Sequence, residues 1–141
     1  YTQVPKKAIW SRNKGDYSNL NSAEFLQTVR ETSPDVIYIE HISSAEVFQE
    51  ALLAAGDCLV IAGDANVSPA KVIRNSLFLC DQKDLESHRK LFAENLAGIS
   101  TQRLVINPSG EGRHAEFNVI VPDDSLRKNI LDYDRSADFQ F

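Results

Sequence analysis

Methionine is missing from these 141 residues and the chain opens on Tyr1, so the sequence reads as a fragment of a longer frame. Cysteine is scarce. Cys58 falls in an expected buried strand and Cys80 at a helix end, with no CxxC pair and no metal-ligand spacing, so both read as reduced packing residues rather than a disulfide framework or a zinc site. No apolar run approaches the roughly twenty residues that a bilayer crossing needs, and no signal-peptide pattern opens the chain. A soluble, cytoplasmic chain is the expectation. Lysine and arginine number 15 against 20 acidic residues, giving a net charge of -5 and a pI near 5.1, and no face is rich in cations. That argues against a nucleic-acid partner. None of the six glycines begins a G-x-G-x-x-G fingerprint and no G-x-x-x-x-G-K-[ST] loop occurs, so no nucleotide cradle is recognisable. With a hydrophobic fraction of 43%, residues 1–141 are expected to form one globular domain.

What is present is organised around Pro34 to Ala70. Pro34-Asp35 stops the preceding element, and Val36 to Ile39 is a β-branched and aromatic run of the kind found in a sheet covered on both faces. The strand ends at the polar pair Glu40-His41. Ser43 and Ser44 can cap a helix to Ala55 whose stripe is Ala45, Val47, Phe48, Ala51, Leu52 and Ala55, and Gly56 ends it. Cys58 to Ala62 is a second buried-looking strand. Gly63 and Asp64 turn the chain, and Ser68-Pro69 opens another helix where proline is tolerated. This spacing predicts two adjacent parallel strands joined by a helical crossover.

Upstream, Ala8-Ile9-Trp10 reads as a short strand before a polar loop, and Asn21-Ser22-Ala23-Glu24 as a helix start carrying Phe25, Leu26 and Val29. Downstream, Ala70 to Leu79 continues a helix with Val72, Ile73, Ser76 and Leu77 inward. Asp81 can cap a longer helix to about Ile99, with Leu85, His88, Leu91, Phe92 and Asn95-Leu96 as its stripe. Gln102 to Ile106, the turn Asn107 to Gly112, and Ala115 to Val121 predict a β-hairpin. Pro122 stops it, and Asp123-Asp124-Ser125 caps a final helix through Leu126, Ile130 and Leu131.

Candidate chemistry gathers at strand ends. Glu40 and His41 stand at the carboxyl end of a parallel strand, where ligands of open α/β sheets collect, although a solvated strand end would look the same. Asp64 and Asn66 follow the second strand at the same sheet edge, and ordinary turn chemistry also explains them. His88 reads as a half-buried packing residue and His114 as a hairpin-surface residue. No Ser-His-Asp or Cys-His arrangement and no metal-spaced cluster is visible, so no metal site is expected.

Taken together, Pro34-Asp35-Val36-Ile37, Ala51 to Ala55, Leu59-Val60, Gly63 and Ser68 to Ile73 resemble the second half of the RecA-like motor domain of type IV pilus retraction and type II secretion ATPases. The register continues. Leu91 to Leu104 resembles the family's "LSESLxxVISQxL" passage, Gly112 to Ala115 its "GGRVAA" turn, and Ser125-Leu126-Arg127 its "AIR" segment, over about residues 20 to 132. The resemblance implies an α/β fold: a RecA-like, mostly parallel sheet with helices on both faces, then an antiparallel hairpin and a helix. It also implies ATP and Mg2+ as the family's cofactors, a homo-oligomeric hexameric ring, and inner-membrane pilus or secretion platform proteins as partners.

The departures from the family pattern concern the site. Where the family has Gly-Glu, the Glu being the acid that orients the attacking water, this chain has Glu40-His41, which puts His41 at the acid's position. Glu40 is one residue early, and adjacent strand residues point to opposite faces. The "GTLHT" box is here Gly63-Asp64-Ala65-Asn66-Val67, with Asn66 at the histidine position. With Ser43 and Ser44 also altered, the resemblance implies a chain that binds no nucleotide tightly by itself and has lost hydrolysis while keeping a binding or scaffolding role. Two alternatives remain: a fragment of an active motor that uses Glu40 through a shifted turn, and a receiver-like signalling domain. The latter needs an acidic pair after its first strand, where this chain has Ser11-Arg12.

Overall fold

The computed structural model describes residues 22–80 and 83–133, in the order α1 (Ser22–Glu31), β1 (Val36–Ile39), α2 (Ala45–Ala54), β2 (Leu59–Ala62), α3 (Pro69–Leu79), α4 (Leu85–Asn95), β3 (Ile99–Ile106), β4 (Arg113–Ile120) and α5 (Asp124–Leu131). The expected strand Ala8–Trp10, the Asp81 cap and most of the tail after Tyr133 lie outside the described residues. β1 and β2 pair in parallel with Val36 opposite Leu59 and Ile39 opposite Ala62, and α2 crosses between them. The predicted crossover is present.

Local chemistry sets the boundaries. Ser44 takes the N-cap of α2 and accepts from the Val47 amide at 3.3 Å, while Pro69 opens α3, where its missing N–H has no helical partner to lose. Asp123 caps α5 by accepting from the Leu126 amide at 2.8 Å. α1 ends at Glu31, and two residues on, just before Pro34, Ser33 takes a φ of 50° in the left-handed region. α4 is shorter than the Asp81–Ile99 expectation because Asp84 sits at its N-cap and Leu96 at its C-cap, and the chain turns into β3 from Gly98. β3 and β4 pair antiparallel from Ile99–Ile120 to Ile106–Arg113, each starting earlier than the sequence indicated.

The main core joins Phe48 and Leu52 of α2 to Ile73 and Leu77 of α3, Phe92 of α4, and Leu126 and Ile130 of α5. Phe48 and Phe92 meet edge to face with centroids 5.8 Å apart. A second cluster, Leu26, Ile37, Val47 and Ala54, seats α1 and α2 on one face of β1–β2. On α2 the buried alanines are Ala51 and Ala54, not Ala45 or Ala55. Cover on both faces is not found among the described residues: Val36, Tyr38, Leu59 and Ile61 form an outward row, with Tyr38 70% exposed. The hairpin is similar. Leu104, Ile106, Phe117 and Val119 lie on one face and are exposed.

Candidate functional site

The parallel register brings the ends of β1 and β2 level, and the two chains lock there. Gly63 donates its amide to Ile39 O at 2.9 Å, and Ile42 donates to Gly63 O at 3.4 Å. The approach is so close that a Cβ on Gly63 would stand 2.2 Å from the Glu40 carbonyl oxygen and 3.2 Å from its carbon. Only glycine fits without moving backbone. Glu40 and Gly63 are therefore adjacent through their main chains, while the Glu40 and His41 side chains are exposed and make no hydrogen bond or ion pair among the described residues.

The loop after β2 is closed on itself. Asp64 Oδ1 accepts both the Asn66 amide at 2.7 Å and Asn66 Nδ2 at 2.5 Å, an Asx turn that occupies the backbone donor and one side-chain donor of Asn66. Ser44 is likewise occupied as the cap of α2, and Ser43 is exposed. Beside that cap, the Ser44 side chain, and then its own backbone, hold the Glu46 carboxyl below the usual range. The sequence placed Glu40, His41, Gly63, Asp64 and Asn66 at one sheet edge, and the structure brings these segments there. It does not join the side chains of Glu40 or His41 to those of Asp64 or Asn66. Ile42 is the link that sequence reasoning missed, because its role rests on a backbone amide and on the cross-strand register.

A nucleotide phosphate needs free, convergent donors. At this edge the amides of Gly63, Ile42 and Asn66 and one N–H of the Asn66 side-chain amide are engaged within the protein, and the exposed charges nearest in sequence are the carboxylates Glu40 and Asp64. These residues alone do not fit a phosphate cradle. Among the described residues no group of three or more His, Cys, Asp or Glu stands together to hold a metal ion.

Elsewhere, His88 is half-buried in α4, and its buried Nδ1 has no hydrogen-bond partner among the described residues. His114 is exposed on the hairpin, where Nδ1 lies 2.8 Å from Asn107 Oδ1. Both cysteines are free thiols, Cys80 buried and Cys58 half-buried. Burial, followed by the neighbouring Asp57 charge, pushes the Cys58 thiol up, with Arg30 partly opposing and Asp35 adding to the rise.

No protein-family model matches the chain. A twitching motility protein of Neisseria gonorrhoeae is 22% identical over 131 residues, 92% of this chain and 35% of that protein. A crystal structure of the pilus retraction motor PilT with bound ADP superposes at a TM-score of 0.70 with 25% identity, over 79% of this chain and 32% of the motor. The ATPase DotB of Legionella pneumophila also reaches 0.70, at 20% identity, over 82% of this chain and 31% of DotB. This chain thus spans about a third of the length of these relatives. Over roughly four-fifths of its length, the chain is similar in sequence to a twitching motility protein and a pilus retraction motor, and it shares the RecA-like α/β fold of that motor and of the ATPase DotB.

Proposed function

We propose that these residues are part of a pilus retraction or secretion motor ATPase-like protein that has lost hydrolysis and keeps a binding or scaffolding role within a ring. The ring would be a homo-oligomer, hexameric by resemblance, working at the cytoplasmic side of the inner membrane against pilus or secretion platform proteins. No described helix is long and apolar enough to cross a membrane. Any ATP or Mg2+ would be held chiefly by residues other than these.

The observation that carries the reading is the chemistry at the ends of β1 and β2. His41 occupies the position where the resemblance places the water-orienting acid, and Asn66, in place of a histidine, is tied to Asp64. A neutral imidazole lacks the negative field of a carboxylate, and removing such a group typically lowers turnover on the order of a hundredfold or more while leaving binding largely intact.

The test uses the longest native polypeptide that contains these residues, measured for ATP binding and kcat as wild type, as His41→Glu and as His41→Glu with Asn66→His. The expected result is ATP binding with very slow turnover in the wild type and faster turnover in both variants. Turnover at the rate of an ordinary motor in the wild type, or a slower His41→Glu, would overturn the reading and make Glu40 the better acid.

A further inference from the structure

The last turn of α4 contains no basic residue, yet its carbonyls are not left to solvent. Arg127, from α5, donates through Nη1 to Ala93 O and to Glu94 O, the latter at 3.3 Å, and through Nη2 to Leu96 O at 3.2 Å. Three terminal acceptors of one helix meet one half-buried guanidinium from another. Such carbonyls have no partner within their own helix and form the negative end of its dipole, so a cation there is favourable. The planar fork of arginine spreads its donors over separate nitrogens in fixed directions, where an ammonium has a single nitrogen.

The path of the chain gives this contact its meaning. From α4 the backbone passes Gly98 into β3, returns along β4, passes the buried Pro122 and enters α5. At the base of the hairpin Ile99 pairs with Ile120, and a Cβ on Gly98 would stand 3.3 Å from the Ile120 carbonyl oxygen. Arg127 joins the end of this path back to its beginning. Apolar packing also joins this circuit, because Phe92, Ala93, Ile99, Leu126 and Ile130 share one cluster, which Phe48 and Leu52 of α2 and Ile73 and Leu77 of α3 complete, whereas Ile37 of β1 belongs to another.

We propose that Arg127 is a latch that makes α4, the β3–β4 hairpin and α5 a single opening unit, distinct from the β1–β2 pair. The hairpin projects exposed apolar residues from the base that this latch holds. A displacement imposed on the hairpin is therefore delivered to α5, and release of the latch frees both together. This inference goes beyond the proposed function and does not depend on it.

Native-state amide hydrogen exchange on the 141-residue chain tests the latch, comparing wild type, Arg127→Met and Arg127→Lys. In Arg127→Met, the Leu96 amide, the first three residues of β3 and the amides of α5 should exchange together, about tenfold faster or more, while Leu59 and Gly63 in the parallel pair stay at the wild-type rate. Arg127→Lys should show the same pattern at smaller amplitude, and it carries the test alone if the methionine variant does not fold. An equal acceleration at Leu59 and Gly63 would mean that Arg127 only adds general stability, and the latch fails. Acceleration confined to α5 or to Leu96, or none, overturns it as well.

Discussion

Gly63 and Gly56 end neighbouring segments of the same α/β unit, yet they tolerate substitution differently. A Cβ at Gly63 would collide with the Glu40 carbonyl, whereas at Gly56 the nearest atom, Leu53 O, lies at an ordinary 3.5 Å. Gly63→Ala should therefore destabilise the fold by about 1–3 kcal/mol, as overpacking against backbone does, and Gly56→Ala by much less. Urea midpoints of the two variants decide it; equal midpoints would contradict the close approach at the site. Cys58 offers a second measurement. Its raised thiol value means that the folded state favours the neutral form, so its contribution to stability is complete below the unfolded thiol pKa and is lost as pH rises through the folded one. Alkylation at about pH 8 should be slower at Cys58 than at the same thiol in the urea-unfolded chain, because the thiolate is the reactive species. An equal or faster rate in the folded chain would refute this.

Among the elements, α2 depends most visibly on its cap. Ser44→Ala removes the bond to the Val47 amide and should cost about 1 kcal/mol by denaturant unfolding. It should also let the Glu46 value rise toward the ordinary carboxylate range, since the Ser44 bond is the largest cause of its lowering. In the wild type, the Glu46 contribution is present above the unfolded carboxylate pKa and lost as pH falls through the lowered folded value. An NMR titration of Glu46 that is identical in wild type and Ser44→Ala would sink the assignment.

The elements also explain what the sequence could and could not disclose. β1, α2 and β2 were legible because Pro34, the β-branched run, Ser44 and Gly63 are local signals whose meaning does not depend on distant partners. The start of β3 was not legible: Ile99 is buried in the core that the helices share, and Ile99 and Thr101 are strand residues through their pairing with Ile120 and Asn118, all non-local facts. The exposed row that contains Tyr38 was misread for a related reason. An apolar strand residue reports that it suits burial, not that an element is present to bury it. At the site, the strand ends and the Asx turn were readable from residue type, but the engagement of the Gly63 and Ile42 amides follows from the β1–β2 register alone.

At the scale of the whole molecule, α2, α3, α4 and α5 share one core, with Ile73, Leu77 and Ile130 fully buried in it. Ile130→Ala should cost about 2–5 kcal/mol, transfer and cavity contributions together, against a total stability of the order of 5–15 kcal/mol. Chemical denaturation monitored by far-ultraviolet circular dichroism would register it, and a cost below about 1 kcal/mol would mean that α5 is not integral to the core. Among the described residues, the two exposed apolar rows lie on sheets that are each two strands wide, fewer than an independently stable sheet usually has.

The central claim is that these residues carry the fold of a motor without its hydrolytic chemistry. Steady-state phosphate release from ATP by the purified 141-residue chain tests it most directly. The amides of Gly63, Ile42 and Asn66 at the ends of β1 and β2 are engaged within the protein and the sequence holds no phosphate loop, so release should equal the no-protein blank. ATP-dependent turnover above that blank, abolished by Glu40→Gln, would contradict the account.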